Sequence, residues 1–177
     1  MNDRPLILIV EDDPNDQQLI LLCFEGLGGA QRQHVLSDGL QAIAYMMGEG
    51  KYSDRAQYPY PTFIITDLKM PGADGFSVLE HLKGNPAWAV IPTVVFSGSS
   101  DPDDIRTAYL LGASSYHVKP AEFNEFRNQI KILHGYWFTC QVPEVDLSGK
   151  QLRTDRAGKL GSRFPQPIQL KQTRVEA

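Results

Sequence analysis

Thr62-Phe-Ile-Ile-Thr-Asp67-Leu-Lys-Met-Pro-Gly-Ala-Asp-Gly75 decides the reading of this chain: an apolar run opens, at Asp67, into a loop rich in proline and glycine. A short continuous apolar run is the pattern of a strand covered on both faces. It sets one carboxylate at the carboxyl end of a strand, where parallel α/β sheets gather their ligand sites. Two other stretches repeat the design. Glu11-Asp12-Asp13 follows Leu6-Ile-Leu-Ile-Val10, and Lys119-Pro120 follows Tyr116-His-Val118. Acids and one lysine at strand ends point to a phosphate-and-metal site.

Between these runs lie helical patterns. Asp13-Pro14 has the form of an N-cap with proline at the first helical position. Ile20, Cys23, Phe24 and Leu27 follow at helical spacing, and Gly28-Gly29 is read as the end of that helix. A weaker strand spans 33–36. Leu40, Ile43 and Met47 mark the apolar face of a second helix, Val78, Leu79 and Leu82 that of a third, which stops near Asn85-Pro86. Residues 91–96 form the fourth strand, ending at Ser97-Gly98-Ser99-Ser100. Asp101-Pro102-Asp103-Asp104 then caps a helix carrying Ile105, Ala108 and Tyr109. Residues 115–118 form the fifth strand, and Phe123, Phe126, Ile130, Leu133 and Trp137 the last helix. Five strands alternating with five helices give an α/β fold, a doubly wound five-stranded parallel sheet.

Residues 1–143 are therefore read as one domain, with an insertion loop at 48–61 that exceeds the usual ~2–6-residue connection. After Pro143 the periodicity stops. Residues 144–177 hold seven basic residues against four acidic ones, interrupted by Gly149, Gly158, Gly161, Pro165 and Pro167, and read as a disordered or partner-ordered tail. No helix-turn-helix fits there, and a net charge of -4 over 177 residues does not suggest a nucleic-acid binder. The opening Met1-Asn-Asp-Arg-Pro5 leads into only five apolar residues, unlike a secretory signal. No stretch reaches the ~18 apolar residues of a membrane helix. Cys23 and Cys140 are too few for a disulfide scaffold. A cytoplasmic location is expected, with no membrane and no DNA among the partners.

Glu11, Asp12 and Asp67 would repel one another in a single cleft. A hard divalent cation offsets that repulsion, and Mg²⁺ or Mn²⁺ suits carboxylates, a carbonyl and waters. Aspartate is a competent nucleophile toward phosphorus. Lys119 balances the remaining charge, and the Ser97 hydroxyl can donate to a phosphoryl oxygen. His34, His81, His117 and His134 lack metal-ligand spacing.

Val10-Glu11-Asp12, Asp67-Leu-Lys-Met-Pro71 with Asp74-Gly75, Ser97-Gly98, and Tyr116-His-Val-Lys119-Pro120 together resemble the response-regulator receiver domain of two-component signalling. The resemblance covers residues 5–138. It implies the flavodoxin-like receiver fold, with Asp67 as phosphoacceptor, Glu11 and Asp12 as the acidic pair, and the Lys69 backbone carbonyl as a further metal ligand. Asp12 would bind the metal directly and Glu11 mostly through water. Ser97 and Lys119 would contact the phosphoryl group, Tyr116 would be the switch aromatic, and the Lys119–Pro120 bond would be cis.

The 48–61 insertion and the ending Gly135-Tyr-Trp-Phe-Thr-Cys-Gln-Val-Pro143 look most like the stand-alone regulators of cyanobacterial phytochromes and bacteriophytochromes. That narrower likeness implies a sensor histidine kinase, a bacteriophytochrome, as donor and a homodimer through the C-terminal helix region. Tyr136-Trp137-Phe138 is read as an interface patch in preference to a staple onto the domain's own core. Lys69 and Ser99, two residues after Asp67 and Ser97, offer neither a carboxylate nor an amide to align an attacking water, so a long-lived phosphoryl group is expected.

Two rivals stand beside this reading. One is a receiver-like scaffold that works without phosphorylation. The other is a phosphatase of the haloacid-dehalogenase type, whose chemistry wants an acid where Lys69 stands. In the favoured reading the chain is a phosphoacceptor signalling module and no enzyme of metabolism.

Overall fold

Alternating side chains on the strands decide which helices cover which face. The computed structural model describes residues 5–28, 31–143, 145 and 149. Leu6–Val10 (β1), Arg32–Leu36 (β2), Phe63–Thr66 (β3), Thr93–Ser97 (β4) and Ser115–Val118 (β5) form one five-stranded sheet in the order β2-β1-β3-β4-β5. All four pairings are parallel. The helices are Pro14–Glu25 (α1), Gly39–Met47 (α2), Gly75–Gly84 (α3), Pro102–Leu110 (α4) and Phe123–Thr139 (α5).

Ile7, Ile9, Phe63, Ile65, Val94 and Phe96 point to one face, where Ile20, Cys23 and Phe24 of α1 and Phe126, Ile130 and Leu133 of α5 cover them. Leu6, Leu8, Val10 and Ile64 point to the other, under Ala42, Tyr45 and Met46 of α2 and Val78 and Leu82 of α3. Leu79 of α3 and Ala108 of α4 close over Val95 and Leu68. The expected doubly wound sheet is the observed one. Among the described residues no helix is long and apolar enough to cross a membrane.

Aspartates start four of the helices. Asp13 accepts from the Asn15 and Asp16 amides, Asp38 from Gln41, Asp74 from Ser77 and Asp101 from Asp103. Each cap of this kind contributes about 1 kcal/mol. Helix α1 stops earlier than its sequence pattern implies, at Glu25 with Gly26 as cap; Gly29 lies outside the described residues.

The buried face of α2 also differs from expectation. Leu40 and Met47 are 60% and 49% exposed, whereas Gly39, Ala42, Tyr45 and Met46 are buried. This helix is apolar nearly all round, so periodicity alone does not select a face. Close packing does: a Cβ on Gly39 would lie 2.2 Å from the Ala73 carbonyl oxygen, so the helix meets the loop before α3 along its glycine side.

The 48–61 insertion is packed, not loose. A 3-10 turn at Gly50–Ser53 buries Tyr52, which meets Tyr45, Tyr58 and His34 in one aromatic cluster. Arg55 holds this cluster to α2. Its Nη1 donates to the Tyr45 and Tyr58 carbonyls at 2.8 and 3.2 Å, its Nη2 to the Met46 carbonyl at 2.6 Å, and the guanidinium lies 4.1 Å above the Tyr60 ring. A cation on the last carbonyls of a helix also suits the macrodipole.

At the C-terminal end, Trp137 stacks on Phe63 and Phe138 meets the same ring edge-on. Only Tyr136 of the three stays outside, at 59% exposure. The expected patch is therefore mostly a staple, because the helical turn puts two of three consecutive aromatics over the sheet. Val145 packs against the α2/α3 cluster; the remainder of the 144–177 segment, Gly149 excepted, lies outside the described residues.

Arg55→Ala removes three charge-assisted bonds to carbonyls and is expected to cost about 2–4 kcal/mol in urea unfolding. A loss below about 1 kcal/mol would show that the clasp contributes little.

Candidate phosphoacceptor and metal site

The ladder of backbone hydrogen bonds continues one residue past the strands and thereby levels the candidate site residues. The Glu11 amide donates to the Leu36 carbonyl at 2.9 Å, Asp67 to Val10 at 2.9 Å, and Lys119 to Ser97 at 2.8 Å. Gly75 lets the loop after Asp67 fold back, since a Cβ there would lie 2.1 Å from the Asp67 carbonyl oxygen. Glu11, Asp12, Asp67, Ser97 and Lys119 all line one open cleft of about 420 Å³, with Lys69 and Ser99 beside them. A larger groove of about 670 Å³ between α1 and α5 contains no cluster of acids.

Asp67 is 8% exposed and fully engaged. Its Oδ1 accepts from the Leu68 amide, from the Ser97 hydroxyl and, at 3.2 Å, from the Lys69 amide. Its Oδ2 accepts from Lys119 Nζ at 2.7 Å. The same ammonium reaches Glu11 Oε2 and Asp16 Oδ2, each at 2.7 Å. Asp16 is a member of the site that the sequence reading missed. It stands in the first turn of α1, where the helix dipole alone accounts for an acid.

Burial pushes the Glu11 carboxyl up to about 7, with Lys119 only partly opposing it. Burial works against the Lys119 ammonium, but its bonds to Asp16, Asp67 and Glu11 prevail and raise it above the ordinary lysine value. The two shifts have different causes: burial dominates at Glu11, whereas at Lys119 three carboxylate partners outweigh it.

The donor set fits a hard divalent cation. One carboxylate oxygen each from Glu11, Asp12 and Asp67 lie within 4.8 Å of one another. Glu11 already accepts from Lys119 and, through Oε1, from the Asp13 amide at 3.2 Å. Asp12 accepts no hydrogen bond from the described residues, which leaves its oxygens for a metal. All are oxygen donors of the kind Mg²⁺ and Mn²⁺ prefer.

Tyr116 packs against the Leu68/Val95 cluster, and its hydroxyl donates to the Ser99 carbonyl at 2.9 Å. Ser99 and Lys69 meet at Asp104, which the sequence reading took only as a first-turn acid. The Lys119–Pro120 bond is trans, contrary to the cis form the resemblance implied. Even X-Pro bonds favour trans, by ~0.5–1 kcal/mol.

The family model for the response regulator receiver domain matches residues 7–131. The chain belongs to that family. Among curated proteins this receiver is 33% identical over 135 residues to the "Probable methanogenesis regulatory protein FilR2" of Methanothrix harundinacea, covering 76% of this chain and 84% of that one. It is 30% identical over 143 residues to the response regulator Rcp1 of Synechocystis, covering 80% of this receiver and 95% of Rcp1. The solved structure of the phosphorylated cyanobacterial phytochrome response regulator RcpA superposes with a TM-score of 0.75 at 30% identity, over 80% of this chain and 99% of RcpA. The Mn²⁺-bound form of Rcp1 superposes at 0.74 and 30% identity, over 79% and 99%. This receiver is thus a two-component signalling protein whose relatives include phytochrome response regulators.

The raised Glu11 carboxyl has a consequence for stability. As pH rises from 4.5 through 7, the unfolded chain releases the Glu11 proton before the folded one does, so folding loses stability across that window. Glu11→Gln carries no such proton. In metal-free buffer the melting-temperature difference between variant and wild type should move in the variant's favour from pH 5 to pH 8. A difference independent of pH would refute the buried-carboxyl account.

Proposed function

We propose that this receiver accepts a phosphoryl group on Asp67 from the phosphohistidine of a sensor histidine kinase of the phytochrome type. The reading rests above all on one observation: Asp67 shares Lys119 with Glu11 and Asp16 while Ser97 holds its other oxygen. Oδ1 is occupied by Leu68, Lys69 and Ser97, which fixes the carboxylate's orientation and leaves Oδ2 to attack phosphorus. As the P–O bond forms, the P–N bond breaks and the imidazole departs. Lys119 moves from Oδ2 to the incoming phosphoryl oxygens, a short displacement for a group already within hydrogen-bonding distance of Asp67. Ser97 turns its hydroxyl to the same oxygens.

A Mg²⁺ or Mn²⁺ ion held by Asp12, Asp67, the Lys69 carbonyl and, through water, Glu11 would offset charge on the phosphoryl oxygens. Supporting that role are the convergent oxygens and the Mn²⁺-bound form of Rcp1. Supporting the kinase class is the cyanobacterial phytochrome response regulator RcpA, which this chain matches over 99% of its length.

Output runs through protein contacts. Movement of Ser97 draws the Ser97–Ser99 loop with it, and with that loop goes the carbonyl that holds Tyr116. The α4–β5–α5 surface changes, and the C-terminal helix region, where Ile132 and Tyr136 are 57% and 59% exposed, serves homodimer formation. Phosphorylation acts only by its differential contacts in the two states.

Acetyl phosphate with Mg²⁺ should add one phosphoryl group to the wild type and none to Asp67→Asn, as read by intact mass. Lys119→Met should slow the modification about 10²-fold. Modification of Asp67→Asn at the wild-type rate would remove Asp67 from the role. The acyl phosphate should persist for minutes or longer, because Lys69 and Ser99 present no group that aligns water.

A further inference from the structure

Asp104 joins three elements that the phosphoacceptor chemistry otherwise leaves separate. Its Oδ2 lies 3.4 Å from Lys69 Nζ, on the loop after β3, and accepts a hydrogen bond from the Ser99 hydroxyl, on the loop after β4. Ser99 in turn is tied by its carbonyl to the Tyr116 hydroxyl on β5. One carboxylate in the first turn of α4 thus anchors the loop that must move and the ammonium of Lys69, two residues along the chain from Asp67.

The ordinary explanation of Asp104 is the helix dipole, which favours acids in a first turn. Asp103 is placed equally well for that purpose, yet it is exposed and meets neither Lys69 nor Ser99 among the described contacts. The difference between these neighbours calls for a second reason.

We propose that Asp104 is a positioning residue that holds the Lys69 ammonium away from the phosphoryl site and yields it when Asp67 is phosphorylated. The inference rests on the Asp67 reading above. Lys69 is two residues from Asp67, and its amide already donates to Asp67 Oδ1 at 3.2 Å. Its side chain is 70% exposed and so free to swing. An aspartyl phosphate carries about -1.5 to -2 of charge in place of the carboxylate's -1, against the single charge of Asp104. The lysine end of the pair is solvated and Asp104 is only half-buried, and pairs open to water contribute only about 0–1 kcal/mol. The exchange is therefore favourable and inexpensive.

Its effect is directional. Once Lys69 leaves, Asp104 keeps only Ser99, and the loop after β4 is held to α4 by one hydrogen bond in place of a bridged pair. Ser97 is drawn toward the phosphoryl oxygens at the same time. Both changes loosen the Ser99 carbonyl from Tyr116, so the Lys69 transfer and the Ser97 movement act on the same switch.

Beryllofluoride with Mg²⁺, titrated into the full chain and followed by calorimetry, tests this without turnover. Asp104→Asn keeps an acceptor for Ser99 but drops the charge, and should bind beryllofluoride about two- to fivefold more tightly than wild type. Lys69→Met should bind it more weakly by a similar factor, and adding Asp104→Asn to Lys69→Met should change nothing further. Asp103→Asn, which removes the same dipole interaction, should match wild type. An Asp104→Asn variant with wild-type affinity, or one whose gain survives in the Lys69→Met background, would overturn the latch while leaving phosphorylation of Asp67 intact. Absence of binding to the wild type would overturn both.

Discussion

One buried ammonium holds the working end of this sheet together. Lys119 Nζ lies 2.7 Å from carboxylates of Glu11, Asp16 and Asp67, which come from the first strand end, the first helix and the third strand end. Its side chain is 10% exposed, so the charge is largely withdrawn from water. An isolated ion at such a place would cost several kcal/mol, of the order of the penalties measured for unpaired buried charges. Three partners remove that cost for the lysine but not for the acids, which outnumber it before Asp12 is counted. The site is left short of positive charge, an arrangement that suits a hard divalent cation.

The sheet supplies the geometry that this charge arrangement requires. Parallel strands end level with one another, and each strand-end residue bonds its amide to the last carbonyl of a neighbour: Glu11 to Leu36, Asp67 to Val10, Lys119 to Ser97. Those bonds set the heights of the side chains before any side-chain contact forms. Fully buried strands, with Ile7, Leu8, Ile9, Val94 and Val95 at 0% exposure, make the platform stiff. The register is fixed by burial on both faces, since a slip of one residue would turn Leu6, Leu8 and Val10 toward α1 and α5.

Much of this was legible in the sequence because the strands and the site obey local rules. Apolar runs ending in Glu11, Asp67, Ser97 and Lys119 mark both the strands and the residues that meet in one cleft, and aspartate caps mark where helices begin. What escaped notice was tertiary. Asp16 and Asp104 satisfy the helix-dipole rule, so nothing in their local pattern sets them apart from Asp103; only the chains brought opposite them, Lys119 in one case and Lys69 with Ser99 in the other, give them further work. The face of α2 failed for the opposite reason. With Leu40, Ala42, Ile43, Tyr45, Met46 and Met47 all apolar, the pattern contains no polar face to define the buried one, and the Gly39–Ala73 contact decides it. The insertion looked like loop because Gly48 and Gly50 obscure a packing role that Tyr52, Tyr58 and Arg55 fulfil from both sides of a turn.

Stability and response draw on separate parts of the molecule. The aromatic cluster of His34, Tyr45, Tyr52 and Tyr58 and the Arg55 clasp sit beside β2 and α2, whereas the acids gather at the carboxyl ends of β1 and β3. The packed cores can carry a site whose charges are unbalanced in the absence of ligand, because native stability is a small difference that a few well-made contacts offset. A ligand that binds only the folded state then adds stability in proportion to its saturation. The imbalance at Glu11, Asp12, Asp16 and Asp67 fits such a ligand: a perfectly neutralised cleft would be more stable, but would gain little by binding a cation.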